Sequence, residues 1–324
     1  VPKNILFIQT AFIGDAILAS AVIESWAKHL PDSNIDLLVR KGNEALFFNN
    51  PNLREILIWN KKEGKYKNLF QLIKKVRSKQ YDAVFNLQRF AATGIITAFS
   101  KAKIKAGFKE NPFSFLYTHS ISHDTSSGIH EIERNQKLIS DYAGKTPSKP
   151  RLYPSEKDFE SVKKYKLKNY ITIAPTSVWF TRQFPAFKWI EFMNTVPADV
   201  PVYLLGGPDD FMACEQINQK YTGKNTINLA GKLHFLESAA LMKDALMNYV
   251  NDSAPMHIAS SVNAPVSAVY CSTVPQFGFG PLSDKSIVVE TDKTLDCRPC
   301  GLHGKKACPK GDFECAESIE LKWD

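Results

Sequence analysis

Residues 5–29 read ILFIQTAFIGDAILASAVIESWAKH. The unbroken apolar run Ile5–Ile8 fits a strand buried on both faces, and the strand reading extends to Gln9. From Asp15 to His29 the apolar residues return at helical spacing. A buried strand that passes through one short loop into a helix is the opening of a βαβ unit, and such units build parallel sheets. That loop also places Gly14 and a charged Asp15 between two buried elements. Asp15 is either the cap of the helix or a group that does chemistry, and local sequence alone favours the cap.

The alternation continues outward from this stretch. Strands are expected at 35–39, 56–59, 83–87 and 104–108, with helices at 69–76 and 130–142. A polar, proline-rich segment, GKTPSKP at 144–150, then interrupts the pattern. The alternation restarts with strands at 170–174, 202–205, 226–229, 246–250 and 266–270. Helices are expected at 187–195, 209–221, 235–243 and 254–261. The pattern predicts an α/β protein with two Rossmann-like domains, 1–150 and 151–324, facing each other across a cleft.

Bulk properties agree with a well-cored protein. The chain has 324 residues, 44% of them hydrophobic and 23% charged. No apolar stretch approaches the roughly 18 residues of a membrane span. Lys3 leads straight into a strand with no small-residue cleavage site, which predicts a cytoplasmic protein without a signal peptide. The net charge is +8, and lysines crowd the first half, at 61, 62, 65, 67, 74, 75, 101, 103, 105 and 109. They form either an ordinary solvated surface or a face that attracts phosphate, a nucleotide or anionic lipid. No aromatic stripe or motif points to nucleic acid.

Several loops after expected strands carry chemistry. In NDSAPMH, 251–257, Asn, Asp and Ser precede a helix with Pro255 in its first turn. A helix start binds phosphate through free N–H groups and the positive end of its dipole, and His257 adds a donor in that turn. The alternative is a plainly capped helix with a half-buried histidine. The loop after 174 offers the hydroxyls of Thr176, Ser177 and Thr181 and the fixed cation Arg182, a set that suits a diphosphate. The alternative is a surface loop packed through Trp179 and Phe180. Gly206-Gly207 allows a close backbone approach, a weak signal by itself.

Taken in order, these pieces resemble one family. Gly14-Asp15, TSVWFTRQFP at 176–185, LLGGPD at 204–209, NLAGK at 228–232 and NDSAPMHIA at 251–259 are similar to the ADP-heptose:lipopolysaccharide heptosyltransferases, glycosyltransferase family 9. The resemblance spans nearly the whole chain. It implies a GT-B fold whose N-terminal domain takes the acceptor and whose C-terminal domain takes the nucleotide-sugar donor. It implies an inverting, metal-independent transfer of heptose from ADP-heptose to the inner core of lipopolysaccharide, on a lipid A-Kdo type or core acceptor. Asp15 matches the family's general base. Arg182, where the family usually has Lys, would offset charge on the leaving diphosphate. Thr176, Ser177, Gly206, Gly207, Asp252, Ser253, Ala254 and His257 match the donor side. Gly14, Arg89 and Arg134 match the acceptor side, where basic groups suit acidic Kdo or phosphate. The resemblance places the enzyme peripherally on the anionic inner face of the inner membrane, with no cofactor required.

The chain departs from the family pattern at Ala254 (usually Gly), Gln183-Phe184 (usually Arg-Trp) and Cys271 (usually Gly). These changes bear on the donor sugar. A related glycosyltransferase for another surface glycan, or a non-catalytic nucleotide-binding homologue, are the competing readings.

Four of the six cysteines close the chain, Cys297, Cys300, Cys308 and Cys315. Their spacing is not that of paired Cys-x2-Cys zinc ribbons. A structural zinc, reduced thiols and disulfides are the three alternatives they leave open.

Overall fold

A computed structural model of the chain describes residues 1–166, 169–223 and 225–323. They form two compact units, Val1–Tyr153 and Pro154–Asp324. Unit 1 runs β1 (Asn4–Ile8), α1 (Ile13–His29), β2 (Asn34–Arg40), β3 (Glu55–Trp59), α2 (Lys65–Ser78), β4 (Ala83–Asn86), α3 (Ala91–Ala98), β5 (Ile104–Phe108), β6 (His119–Ile121), α4 (Glu131–Lys137) and α5 (Ser140–Ala143). Among the described residues its strands make a six-stranded sheet in the order β3-β2-β1-β4-β5-β6. All of its pairings are parallel.

Unit 2 runs α6 (Glu156–Val162), β7 (Ile171–Ala174), α7 (Ala186–Met193), β8 (Val202–Leu204), α8 (Phe211–Lys220), β9 (Thr226–Asn228), α9 (Phe235–Lys243), β10 (Met247–Asn251), α10 (Ala254–Ser261), β11 (Val266–Tyr270), β12 (Ser286–Glu290) and α11 (Glu314–Glu317). Its parallel sheet, also six-stranded among the described residues, has the order β12-β11-β10-β7-β8-β9. Read from the first strand of each unit, the two orders are the same. Each sheet reverses its winding direction at one strand pair, β1/β4 in unit 1 and β7/β10 in unit 2. At that point the loops diverge to opposite faces and leave a crevice beyond the carboxyl ends, where α/β sheets bind ligands.

Each unit has its own core, as crossover helices covering both sheet faces require. Phe7, Phe85, Trp26 and Tyr142 pack ring against ring in unit 1, with Trp26 and Phe85 centroids 5.2 Å apart. In unit 2, Trp189 meets Phe184 edge-on at 5.1 Å beneath α7. The segment anticipated as a polar hinge is tied to α1. The N–H groups of Ser148 and Arg151 donate to the hydroxyls of Ser25 and Ser20, each at 2.8 Å. The Tyr153 hydroxyl donates to Glu24 at 2.8 Å.

Three details depart from the sequence pattern. Helix α1 begins at Ile13 with Phe12 as its N-cap, so Asp15 is inside the first turn and is not the cap. The helix expected over 130–142 is two, because Leu138 and Ile139 leave the helical ladder between α4 and α5. Strands β6 and β12 and helices α3, α6 and α11 are absent from the sequence pattern.

Candidate functional site

In unit 2, β7 lies beside β10, so the loops leaving their carboxyl ends meet. The loop after β7 passes through a 3-10 turn at Phe180–Arg182 before Pro185 starts α7. The loop after β10 is only Asp252 and Ser253, ahead of α10. There the Arg182 guanidinium stands 2.5 Å from the Asp252 carboxylate. The other oxygen of Asp252 accepts the Thr273 hydroxyl at 2.6 Å, from the loop after β11. Asn251 accepts the N–H of Phe184 at 2.8 Å and so pins the loop from the opposite side. Asp252 is buried, while the Arg182 side chain keeps 18% of its surface exposed. The Arg182 Nε has no hydrogen-bond partner among the described residues. Asp252 Oδ1 likewise has no hydrogen-bond partner among the described residues, so the contact is an ion pair without hydrogen-bond alignment, and the guanidinium keeps donor capacity left over.

The start of α10 lies next to this pair. Ser253 is its N-cap, but its side chain makes no cap bond; its hydroxyl turns back to the Asn251 carbonyl at 3.3 Å. Pro255 in the first turn brings no N–H. The helix therefore presents an N-terminus that no side chain caps, with Ala254 at its first position, the arrangement that binds anions. His257, expected to add a donor here, is buried in that helix with 5% exposure. Thr176 and Ser177 follow β7 half-buried.

Gly206 and Gly207 follow β8 in a tight turn. The Gly207 N–H donates to Asp210 at 2.8 Å, and the Gly206 carbonyl accepts from Gly231 at 3.0 Å. A Cβ on Gly206 would stand 2.7 Å from the Asp210 Cβ. Gly231 has φ +73°, and its own Cβ would come 2.9 Å from the Pro208 backbone. The NLAGK stretch therefore buttresses the Gly-Gly turn, a relation that sequence order does not reveal.

In unit 1 the equivalent crevice lies between the loops after β1 and β4. Gly14 and Asp15 sit half-buried in the first turn of α1. The preceding loop is held from three sides. The Lys61 ammonium donates to the carbonyl and hydroxyl of Thr10 at 2.7 and 2.8 Å. The Thr10 hydroxyl donates to Gln88 at 2.6 Å, and Asn43 donates to the Ala11 carbonyl at 3.1 Å. Arg40, at the end of β2, lies over the Phe12 ring at 5.0 Å. Burial lowers its guanidinium pKa, and the charge of Asp15 acts in the opposite sense. Arg40 was missed in the sequence, because it reaches Asp15 only through the β1–β2 pairing. Arg89 is half-buried just after β4.

Arg134 corrects an expectation. It is buried, with Nε 2.7 Å from Glu131 and Nη1 donating to the carbonyls of Asp124 and Ile129. His123 completes the cluster at 3.0 Å from Glu131. Burial alone would raise the Glu131 pKa, but these partners outweigh it and hold the carboxyl below its usual range. The guanidinium is spent on its own loop and does not face an acceptor. His130 caps α4.

The cysteines do not realise two of their alternatives. All six are free of disulfides. Among the described residues no three His, Cys, Asp or Glu side chains are arranged to hold a metal ion, so the zinc expectation does not fit this geometry. Burial pushes the Cys315 thiol up to about 12, with Cys300, Cys297 and Cys308 adding to the shift. Cys315 and, partly, Cys308 pack on the unit 2 core.

Comparison with known proteins bears on the family and the fold. The model of glycosyltransferase family 9 (heptosyltransferase) matches residues 69–308. Lipopolysaccharide heptosyltransferase 3 of Escherichia coli is 28% identical over 281 residues, covering 81% of this chain and 82% of that protein. The solved structure of the glycosyl transferase family 9 protein from Veillonella parvula superposes with TM-score 0.79 at 22% identity, over 88% of this chain and 85% of that one. That of E. coli ADP-heptose lps heptosyltransferase II superposes with TM-score 0.78 at 20% identity, over 92% and 96%.

Proposed function

The chain belongs to glycosyltransferase family 9, the heptosyltransferase family, and from that premise we propose that it moves heptose from ADP-heptose to the inner core of lipopolysaccharide, with inversion and without a metal. The observation that carries the donor half of this reading is the Arg182–Asp252 pair beside the uncapped start of α10. Two adjacent phosphates need a fixed cation and aligned N–H groups, and both meet at the β7/β10 crevice. Thr176, Ser177, Gly206 and Gly207 complete the donor side, with Ser253 and Ala254 at the helix start and His257 one turn in. Gly14, Asp15 and Arg89 form the acceptor side.

In the reaction the acceptor hydroxyl attacks the anomeric carbon from the face opposite the diphosphate. Asp15 takes the hydroxyl proton as the new C–O bond forms. The bond from the anomeric carbon to the diphosphate oxygen breaks, and ADP departs with the electron pair. Arg182 and the α10 N-terminus stabilise the charge that grows on that oxygen.

The acceptor class suggests where the enzyme works, at an anionic membrane face. No helix among the described residues is long and apolar enough to cross a membrane. Helix α2 instead buries Leu69, Leu72, Ile73 and Val76 and turns Tyr66, Phe70, Lys67, Lys74 and Arg77 outward. Aromatics with cations and no acid on one helix face suit an interface of anionic lipid.

Calorimetric binding of ADP, UDP and GDP at matched ionic strength tests the donor reading, on the wild type and on Arg182→Ala, which removes the cation. ADP preference that is lost in the variant supports it. Preference for UDP or GDP points to another sugar nucleotide and surface glycan. No binding of any of the three points to a non-catalytic homologue.

A further inference from the structure

We infer that residues 298–305 of the cysteine-rich tail are a strap that positions Arg182, with Gly304 and Lys305 as its contact points. The inference rests on the donor reading of Arg182 given above.

The strap is anchored at one end on the carboxyl end of β11. The Arg298 guanidinium donates to the carbonyls of Cys271 at 2.8 Å, Tyr270 at 3.2 Å and Thr273 at 2.9 Å. It also pairs with Glu290 at 2.5 Å. The Cys300 N–H donates to the Ser272 carbonyl at 2.8 Å. Thr273, whose carbonyl Arg298 holds, is the residue whose hydroxyl bonds Asp252.

At its other end the strap reaches the 3-10 turn that carries Arg182. The Thr181 N–H donates to the Lys305 carbonyl at 3.1 Å. The Thr181 hydroxyl accepts the Lys305 N–H at 2.8 Å and the Ser272 hydroxyl at 2.9 Å. Gly304 has φ +77°, and a Cβ there would stand 3.0 Å from both the Arg182 Cγ and the Thr181 hydroxyl oxygen. The stem of Arg182 therefore lies directly against the Gly304 backbone. Past the strap, Phe313 packs on Phe180 with ring centroids 5.2 Å apart. The strap thus supports both members of the ion pair, Arg182 through Gly304 and Lys305, and Asp252 through Thr273. Such support sets the precision of a charged contact more than its existence.

Two glycines separate positioning from folding. Gly304 and Gly311 both adopt left-handed backbone, at φ +77° and +82°, so alanine strains the chain similarly at each. A Cβ on Gly311 meets nothing within 4 Å, whereas one on Gly304 displaces Arg182. Calorimetry should show Gly304→Ala weakening ADP binding about tenfold, the scale of one charge-assisted hydrogen bond, with Gly311→Ala unchanged. Phenylglyoxal labelling of Arg182, followed by peptide mass spectrometry, should change rate in Gly304→Ala and not in Gly311→Ala. Equal behaviour of the two variants in both readouts overturns the inference. If the wild type binds no ADP, the donor reading fails and the labelling rates still decide the strap. Should Gly304→Ala not fold, Thr181→Val removes the hydroxyl that receives Lys305. A wild-type labelling rate at Arg182 in that variant then overturns the inference.

Discussion

Arg182 and Asp252, from loops on either side of the β7/β10 pair, approach to 2.5 Å, and each is held in turn by a different neighbour of the same crevice. The pair is buried on the aspartate side, and this decides what its loss would do. Asp252→Leu strands a guanidinium and Arg182→Met strands a carboxylate. Either single change should cost about 3–5 kcal/mol in urea unfolding, and the double change less than the sum. Additive costs would show that the two groups do not interact.

Asp15→Asn keeps the shape of the first turn of α1 and removes the proton acceptor. It should lower kcat by about 10²- to 10⁴-fold and leave ADP affinity unchanged, because the acceptor side alone is touched. Activity within threefold or so of wild type would remove Asp15 from the base role. Arg40→Gln, beside it, should change the pH profile of kcat while the protein stays folded.

Arg134→Ala should destabilise unit 1 by about 3–5 kcal/mol, because it leaves Glu131 buried with one partner fewer. The depressed Glu131 pKa gives the acid limb. Its contribution is complete above the ordinary value of 4.5 and fades as pH falls through the lower folded value. Urea unfolding between pH 3 and 6 should therefore be less pH-dependent in Arg134→Ala than in the wild type.

Buried thiols contribute to the alkaline limb, together with buried tyrosines such as Tyr81, Tyr170 and Tyr270, whose hydroxyls burial also pushes up. Burial holds Cys214 and Cys315 up at about 12, against an ordinary value of 9.0. A raised folded value means the stabilisation is complete below pH 9 or so and is lost as pH climbs toward 12. Unfolding free energy should fall through that window, and less steeply in Cys315→Ala.

Tyr66→Ser with Phe70→Ser should reduce sedimentation with vesicles containing anionic phosphatidylglycerol and leave the fold intact, because both rings already face outward. About 0.5 M salt should release the wild type. Binding indifferent to both changes would remove the membrane face from α2.

The parts legible in the sequence were those written in local pattern. The strands 104–108 and 266–270 and the helices 235–243 and 254–261 fall where periodicity places them. Strand β6 is three residues long and β12 is exposed along most of its length, so neither carries the apolar run that betrays a buried strand. Helix α3 is short and rich in Ala, Thr and Gly, and its ends carry no cap signal. Individual site residues were legible as chemical types, but their partnerships were not. Arg182 reads as a cation for a diphosphate and Asp252 as part of a helix start on the donor side, and only the β7–β10 register joins them. Arg134 reads as a cation for an acceptor until its burial beside Glu131 is seen. The tail reads only as a set of cysteines open to zinc, reduced thiols or disulfides, and nothing in its sequence reveals that its backbone bonds to Thr181.

The stitching of 148–153 onto α1 has a use in recombination. Ser25, Ser20 and Glu24 hold the connector to its own unit through Tyr153. A crossover placed between Tyr153 and Pro154 keeps those three bonds with the N-terminal partner. Hybrids joined there, with the second unit taken from a relative of known sugar preference, inherit an intact graft junction.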